Sequence, residues 1–281
     1  MNVQVDNQKI LLSQKQLIEK GLEMLELTNC KPVKTPLTPS IHLEPPTKEE
    51  IEEFKKLNIN YRSFTGILNY LSCRTRPDLA PVVSILSRYN NNPGINHWKE
   101  VIHCWKYLSG TKELKLKLEP SDTNENYSSV YYSDATWGDD LDTRVSQSGR
   151  ICFFKSCPLS WNSSKQRNIT LSSTEAELNS LTDAAQEDLW IRNLIEEIWQ
   201  FKSEPSIFNI DNEGLLDKIK HFGSNSKTKH IDIKTKFLRQ KFNDNDIEIN
   251  LINSEEMVAD ALTKACNYNS LSRLLIKIFQ L

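Results

Sequence analysis

Four acidic residues stand where distant carboxylates could converge on a cation. Asp134 closes the strand-like stretch "VYYSD", and Asp211 closes a second one, "IFNID". If those strands lie side by side and parallel, their C-terminal ends open on one edge of a sheet, the edge where α/β folds place their ligands. Glu175, in "LSSTEAE", falls in the first turn of a long predicted helix, and Asp260, in "EEMVADALTK", at or near the first turn of the last one. Both helix starts can reach that edge. Each acid also has an ordinary structural reading. Asp134 suits a turn or cap, and Asp211, followed by Asn212, suits the N-cap of the next helix. Glu175 completes a capping box with Ser172, as Glu177 does with Thr174. Asp260 suits a solvated helix position, although its apolar neighbours Val258, Ala259 and Leu262 ask for a partner or an open cavity. The conjunction distinguishes the readings, because four carboxylates held together cannot all stay ionised without cations. Mg²⁺ takes hard oxygen ligands, and two such ions about 3.5–4 Å apart stabilise both the attacking and the leaving oxygen of a phosphodiester.

The elements that must position these acids follow from the hydrophobic period. "VQVDNQKILL" reads as a hairpin and "SQKQLIEKGLEML" as a helix; residues 31–46, rich in proline, read as a linker. Apolar residues then take helical spacing: Phe64, Leu68, Leu71; Leu79, Val82, Val83, Leu86; Val101, Trp105, Leu108. The same period places His97, Trp98, His103 and Trp105 on one helix as packing residues. Near residue 122 the period becomes strand-like. "SSVYYSDA" and "RICFFKSCPLSWNS" supply three antiparallel strands, with a tight turn around Ser156 to Pro158. A long helix from Thr174, the strand "SIFNID", the helix "NEGLLDKIKHF", the basic helix "KTKHIDIKTKFLRQKF", the strand "DIEINLI" and a helix over "SEEMVADALTKA" follow. A strand–helix–strand step favours parallel pairing, so this order implies a mixed sheet with helices packed on it.

Composition narrows the possibilities less. The 281 residues allow one large or two moderate domains, and two is the expectation. A net charge of −2 excludes a globally basic nucleic-acid coat but leaves room for a local basic patch. The six scattered cysteines have no CxxC pairing, which fits reduced thiols rather than a zinc site or a disulfide framework. No apolar run is long enough for a membrane span and the N-terminus has no secretory pattern, so the expectation is a soluble, intracellular protein without a membrane partner.

Residues 128–265 resemble the ribonuclease H domain of reverse transcriptases from Ty1/copia-type LTR retrotransposons. "YYSDATW", "SWNSSKQRNITLSSTEAE", "IDNEG", "TKHIDIKTKFLR" and "ADALTK" stand in that family's order. Upstream, "CKPVKTPLTP", "YRSFTGILNYLSCRTRPDLAPVVSILSRY" and "HWKEVIHCWKYLSGT" are similar to the end of the same polymerase. The resemblance implies an α/β fold: a ribonuclease H-like mixed five-stranded sheet with flanking helices, preceded by a mostly helical thumb or connection region. Its domains would be a polymerase remnant over 1–121, the nuclease over 122–266 and a helical tail over 267–281. It implies cleavage of the RNA strand of RNA/DNA hybrids, with Asp134, Glu175, Asp211 and Asp260 as catalytic metal ligands for two Mg²⁺ ions, Mn²⁺ being a substitute. The upstream polymerase half would be a partner, and a cytoplasmic particle or the nucleus the location. The family's Ser-Asp-Ala-Asp-Trp has Thr136 in place of its second aspartate, outside the four ligands. The polymerase's Tyr-X-Asp-Asp motif is absent from the chain, so DNA synthesis is not expected. The alternative is an inactive or domesticated remnant that only binds nucleic acid or protein. Hybrid contacts are expected from Lys165, Arg167, Asn212, Lys227, Lys229, His230 and Lys234, whereas Trp137 and Trp161 read as core aromatics.

Overall fold

A computed structural model describes residues 1–6, 8–121, 127–220 and 229–280, with the backbone alone for 229–231. Two compact units emerge, Met1–Leu118 together with Lys264–Leu281, and Glu119–Thr263.

The first unit begins with the expected hairpin of β1 (Asn2–Asp6) and β2 (Lys9–Ser13), paired from Asn2↔Ser13 to Asp6↔Lys9. Then come α1 (Lys15–Met24), α2 (Lys48–Lys56), α3 (Tyr61–Arg74), α4 (Ala80–Leu86), α5 (Ile95–Thr111) and the strand β3 (Lys115–Leu118). Of the residues at helical spacing, Phe64, Leu68, Leu71, Leu79, Val82, Leu86, Val101, Trp105 and Leu108 are buried and Val83 is half-buried. Gly21 lets α1 approach Trp105, since a Cβ there would lie 2.1 Å from the indole ring.

The second unit contains β4 (Ser129–Thr136), β5 (Gln147–Phe154), β6 (Cys157–Lys165), α6 (Ser173–Trp199), β7 (Ser206–Ile210), α7 (Glu213–Lys220), α8 (Lys229–Asn243) and β8 (Ile247–Leu251). Its sheet runs β6-β5-β4-β7-β8, antiparallel among β4, β5 and β6 and parallel from β4 through β7 to β8. This is the mixed five-stranded sheet with flanking helices that the sequence led us to expect. The β5–β6 turn sits at Lys155 and Ser156, both with positive φ (48° and 68°) as a two-residue hairpin turn demands. Pro158 lies instead within β6, an edge strand, where its missing N–H removes no ladder bond the sheet needs. The core packs Tyr131 and Phe208 face to face (centroids 4.7 Å apart) beneath Leu178, Leu181, Ile191 and Ile195 of α6.

The chain then returns to the first unit. Residues read from sequence as a separate helical tail form α9 (Tyr268–Ile278) and a short strand β9 (Phe279–Gln280) antiparallel to β3, which extends that unit's sheet to β1-β2-β3-β9. Residues 254–262, expected as an α-helix, form two 3₁₀ turns, Ser254–Glu256 and Val258–Leu262. Met257 between them is extended (ψ 96°), which interrupts any continuous i→i+4 ladder. All six cysteines are free. Among the described residues no helix is long and apolar enough to cross a membrane.

One core residue bears on stability. Asp188 of α6 is fully buried; its Oδ1 accepts from the Ser206 hydroxyl at 2.7 Å, while its Oδ2 has no hydrogen-bond partner. Burial pushes its carboxyl up from 3.8 to about 6. The folded state therefore holds a proton that the unfolded chain has released, and stability falls as pH rises from about 4 through about 6. Asp188→Asn keeps the acceptor for Ser206 and removes the charge. It is expected to be more stable than wild type above that window, by on the order of 2 kcal/mol, and unchanged below it. Urea titrations across this pH range check the sign.

Candidate metal centre

β4 and β7 place the first two acids. They pair in parallel through Val130↔Ile207, Tyr131↔Phe208 and Tyr132↔Asn209. Carried two residues further, that register sets Asp134 level with Asp211, directly beyond the end of β7. The third acid comes from α6. One carboxylate oxygen each of Asp134, Glu177 and Asp211 lie within 4.8 Å of one another. The sheet edge thus brings together two of the four expected acids, with Glu177 rather than Glu175 as the glutamate.

The helix explains the exchange. Ser172 caps α6 by accepting from Glu175 N–H at 3.2 Å, and the Glu175 carboxylate reaches back to accept from Leu171 N–H at 2.8 Å. Positions two apart on an α-helix are turned by about 200° from each other, so Glu175 and Glu177 cannot both face the strand ends. Only the Ser172 half of the expected capping box forms, since the Glu175 carboxylate bonds Leu171 N–H rather than that of Ser172; Glu175 thus serves the helix start, and Glu177 faces the acids.

A neutral amide or hydroxyl stands beside each cluster carboxylate. Asn212 Nδ2 donates to Glu177 Oε1 at 2.9 Å, while its own Oδ1 accepts from Leu215 N–H at the start of α7. The Ser254 hydroxyl donates to Asp211 Oδ2 at 2.7 Å. The Thr263 hydroxyl lies 3.5 Å from Asp134 Oδ2 and bonds the Asp260 carbonyl at 3.0 Å. Asp260 is thereby carried on the 3₁₀ turn behind Asp134, though its carboxylate is outside the trio that meets within 4.8 Å. That turn sits on Gly149, the residue paired with Asp134 across the β4–β5 ladder. A Cβ on Gly149 would lie 2.8 Å from Thr263 Cγ2 and 2.9 Å from the Ala259 carbonyl oxygen. Strand glycines mark such close approaches.

Glu177 is 9% exposed, and its Oε2 is buried without a hydrogen-bond partner. Burial, reinforced by the charges of Asp134 and Asp211 and opposed by the Asn212 bond, raises its carboxyl to about 7. With a folded value above the unfolded 4.5, this group withdraws stability as pH rises through about 7. An orphaned, buried oxygen facing two further carboxylates is what a cation satisfies, and an all-oxygen donor set selects a hard one.

Of the expected hybrid-contacting residues whose side chains are described, Lys165, Asn212 and Lys234 are engaged within the chain. Lys165 Nζ lies 2.5 Å from Asp140, whose carboxyl is lowered to about 2; burial opposes that shift, and the Lys165 bond and the two Thr143 bonds outweigh it. Lys234 Nζ donates to Asn179 Oδ1 at 2.5 Å, and Asn212 orients Glu177. Along α8, Lys236 pairs with Asp232, Lys241 with Asp246, and Arg239 donates to the carbonyls of Lys218 and Ile219 at the end of α7. Among the described side chains of the basic run, Lys234, Lys236, Arg239 and Lys241 are thus engaged within the chain. Arg167 is exposed. Lys227 lies outside the described residues, as do the side chains of Lys229 and His230. Trp161 is half-buried, but Trp137, expected in the core, is 55% exposed. It stands just past the end of β4, where the chain leaves the sheet, and its N–H is satisfied by the Thr170 carbonyl at 2.9 Å.

No protein-family model matches the chain. Among curated relatives, it is 33% identical over 267 residues to the retrovirus-related Pol polyprotein from transposon TNT 1-94 of Nicotiana tabacum, covering 94% of this chain and 20% of that protein. It is 32% identical over 257 residues to the Pol polyprotein from transposon RE2 of Arabidopsis thaliana, covering 92% and 17%. A solved structure of LC11-RNase H1 in complex with an RNA/DNA hybrid is similar at 12% identity and a TM-score of 0.37, covering 50% of this chain and 96% of that one. The chain therefore spans 20% or less of the length of these two polyproteins.

Proposed function

Because the chain belongs to the retrovirus-related Pol polyproteins of Ty1/copia-type transposons, we propose that its second unit is a Mg²⁺-dependent ribonuclease that cuts the RNA strand of RNA/DNA hybrids. The observation that carries this reading is the meeting of Asp134, Glu177 and Asp211 at the ends of β4 and β7 and the start of α6. Glu177, in place of Glu175, is the proposed glutamate ligand, and Asp260 completes the set from its turn over Gly149.

The chain's own contribution is placement. Asn212 and Ser254 each donate to one oxygen of a cluster carboxylate, and the Thr263 hydroxyl, bonded to the Asp260 carbonyl, lies beside Asp134, which orients the acids without neutralising them. Partners of this kind commonly tune a metal's affinity by 10–100-fold. When bound, Mg²⁺ supplies a water of lowered pKa and charge stabilisation for the leaving oxygen. Choice of the RNA strand rests on 2′-hydroxyl contacts and groove shape. Mn²⁺ is the proposed substitute ion. The upstream polymerase segment of the polyprotein is the proposed partner that delivers the hybrid, and the setting is intracellular.

The test is cleavage of an end-labelled hybrid by the purified chain. We expect RNA fragments with Mg²⁺, none with EDTA, and an intact DNA strand. A chain that binds hybrid tightly but leaves the RNA whole in Mg²⁺ and Mn²⁺ would support the remnant reading instead.

A further inference from the structure

Large apolar side chains gather at one rim of the acid cluster. Trp137 is 55% exposed, Ile169 59% and Leu171 82%. The Trp137 N–H is bonded to the carbonyl of Thr170, the residue between the other two. The loops that carry them are tied together: Thr170 Oγ1 and Ser146 Oγ are 2.9 Å apart, and Gly138 N–H donates to Ser146 Oγ at 3.1 Å. The indole is therefore held in a fixed orientation while over half of it faces solvent. Trp137 follows Asp134 by three residues, and Leu171 precedes the helix that bears Glu177, so the shelf bridges the two segments that build the acid site.

Resting on the nuclease reading above, we propose that Trp137, flanked by Ile169 and Leu171, is a packing surface for a sugar ring of the RNA/DNA hybrid and positions it against the acids. Three carboxylates repel a phosphate backbone, and the basic groups Lys165, Lys234 and Arg239 are already bonded within the chain. Affinity beside the acids therefore gains from a contact that carries no charge, alongside the charged contact that Arg167 offers. A flat ring whose polar edge is already satisfied supplies that uncharged contact, because packing on an aromatic face is indifferent to sequence and undiminished by neighbouring acids. Exposed Arg167, in the same loop as Ile169, is placed to meet the backbone next to the packed sugar.

The full chain tests this with a short fluorescein-labelled hybrid, binding being read by anisotropy in Ca²⁺ and cleavage in Mg²⁺. Trp137→Ala should weaken binding and raise KM about tenfold, the order expected for one lost aromatic contact, with kcat within about twofold. Trp137→Phe, which keeps a ring but cannot bond Thr170, should recover most of the affinity. Hybrid should also quench wild-type tryptophan fluorescence more than that of Trp137→Phe, a comparison that decides the matter if the alanine variant does not fold. Wild-type Kd and KM in Trp137→Ala, equal quenching in wild type and Trp137→Phe, or no hybrid binding by wild type would each overturn the proposal. Trp137-dependent binding without any cleavage would leave the packing role standing and remove the nuclease reading. Cleavage untouched by Trp137→Ala would do the reverse.

Discussion

Glu177→Gln is expected to lower the proposed cleavage of a hybrid's RNA strand by at least about a hundredfold, whereas Glu175→Ala is expected to cut at close to the wild-type rate and to cost about 1 kcal/mol of stability. The two glutamates are two residues apart and both buried, yet their environments differ. Glu175 serves the backbone of its own helix start, holding Leu171 N–H, so truncating it exposes an N-terminal donor and changes nothing at the strand ends. Glu177 brings an unpaired oxygen to Asp134 and Asp211. Glutamine there keeps the shape and can still accept from Asn212, but it removes the negative charge that makes the oxygen a ligand. Two measurements besides activity separate this from general damage. Metal-free Glu177→Gln should be more stable than wild type above about pH 7, because the repelled, desolvated carboxylate is gone. Added Mg²⁺ should raise the melting temperature of wild type and Glu175→Ala but not that of Glu177→Gln. A Glu175 variant that loses cleavage and the Mg²⁺ shift while Glu177→Gln keeps both would reverse the assignment.

That contrast marks where sequence reading succeeded and where it stopped. The strands of the five-stranded sheet were legible because "VYYSD" and "IFNID" combine β-branched and aromatic residues with a terminal acid, and their shared parallel edge followed from the strand–helix–strand order. Asp134 and Asp211 needed nothing more. The glutamate needed the rotation of one helix. "TEAE" offers two acids with nearly opposite bearings, and only the Ser172 cap fixes which of them the helix start consumes. A partial signal was present, since the Ser172 spacing assigns Glu175 to the helix start and leaves the acid two positions on. The last segment failed for a different reason: "SEEMVADALTKA" has helical composition, but its packing over Gly149 makes it two tight turns, and close backbone approach leaves little trace in a hydrophobic pattern. The described part of the basic run shows a similar gap. A count of lysines says nothing about Asp232, Asp246 and Asn179 lying within reach of them.

Gly149→Ala is the substitution that tests whether that packing holds the site together, and it is expected to reduce cleavage about 10–100-fold while lowering stability by about 1–3 kcal/mol. The argument is one of space, since Gly149 sits in a regular strand. Its added methyl would meet the Thr263 methyl at 2.8 Å and the backbone of Ala259 and Leu262 at 2.9 Å. A flexible side chain could step aside, but two of these neighbours are backbone atoms of the turn that carries Asp260, so the turn itself must lift. Lifting it moves Asp260 and withdraws the Thr263 hydroxyl from Asp134, the residue paired with Gly149 on the next strand. Thr263→Val removes the hydroxyl and its bond to the Asp260 carbonyl but adds no clash with β5, and should cost activity less than Gly149→Ala does. The measurement is paired, the melting temperature with and without Mg²⁺ alongside the cleavage rate. A Gly149→Ala protein with wild-type rate and an undiminished Mg²⁺ shift would mean that Asp260 does not depend on the contact of its turn with β5.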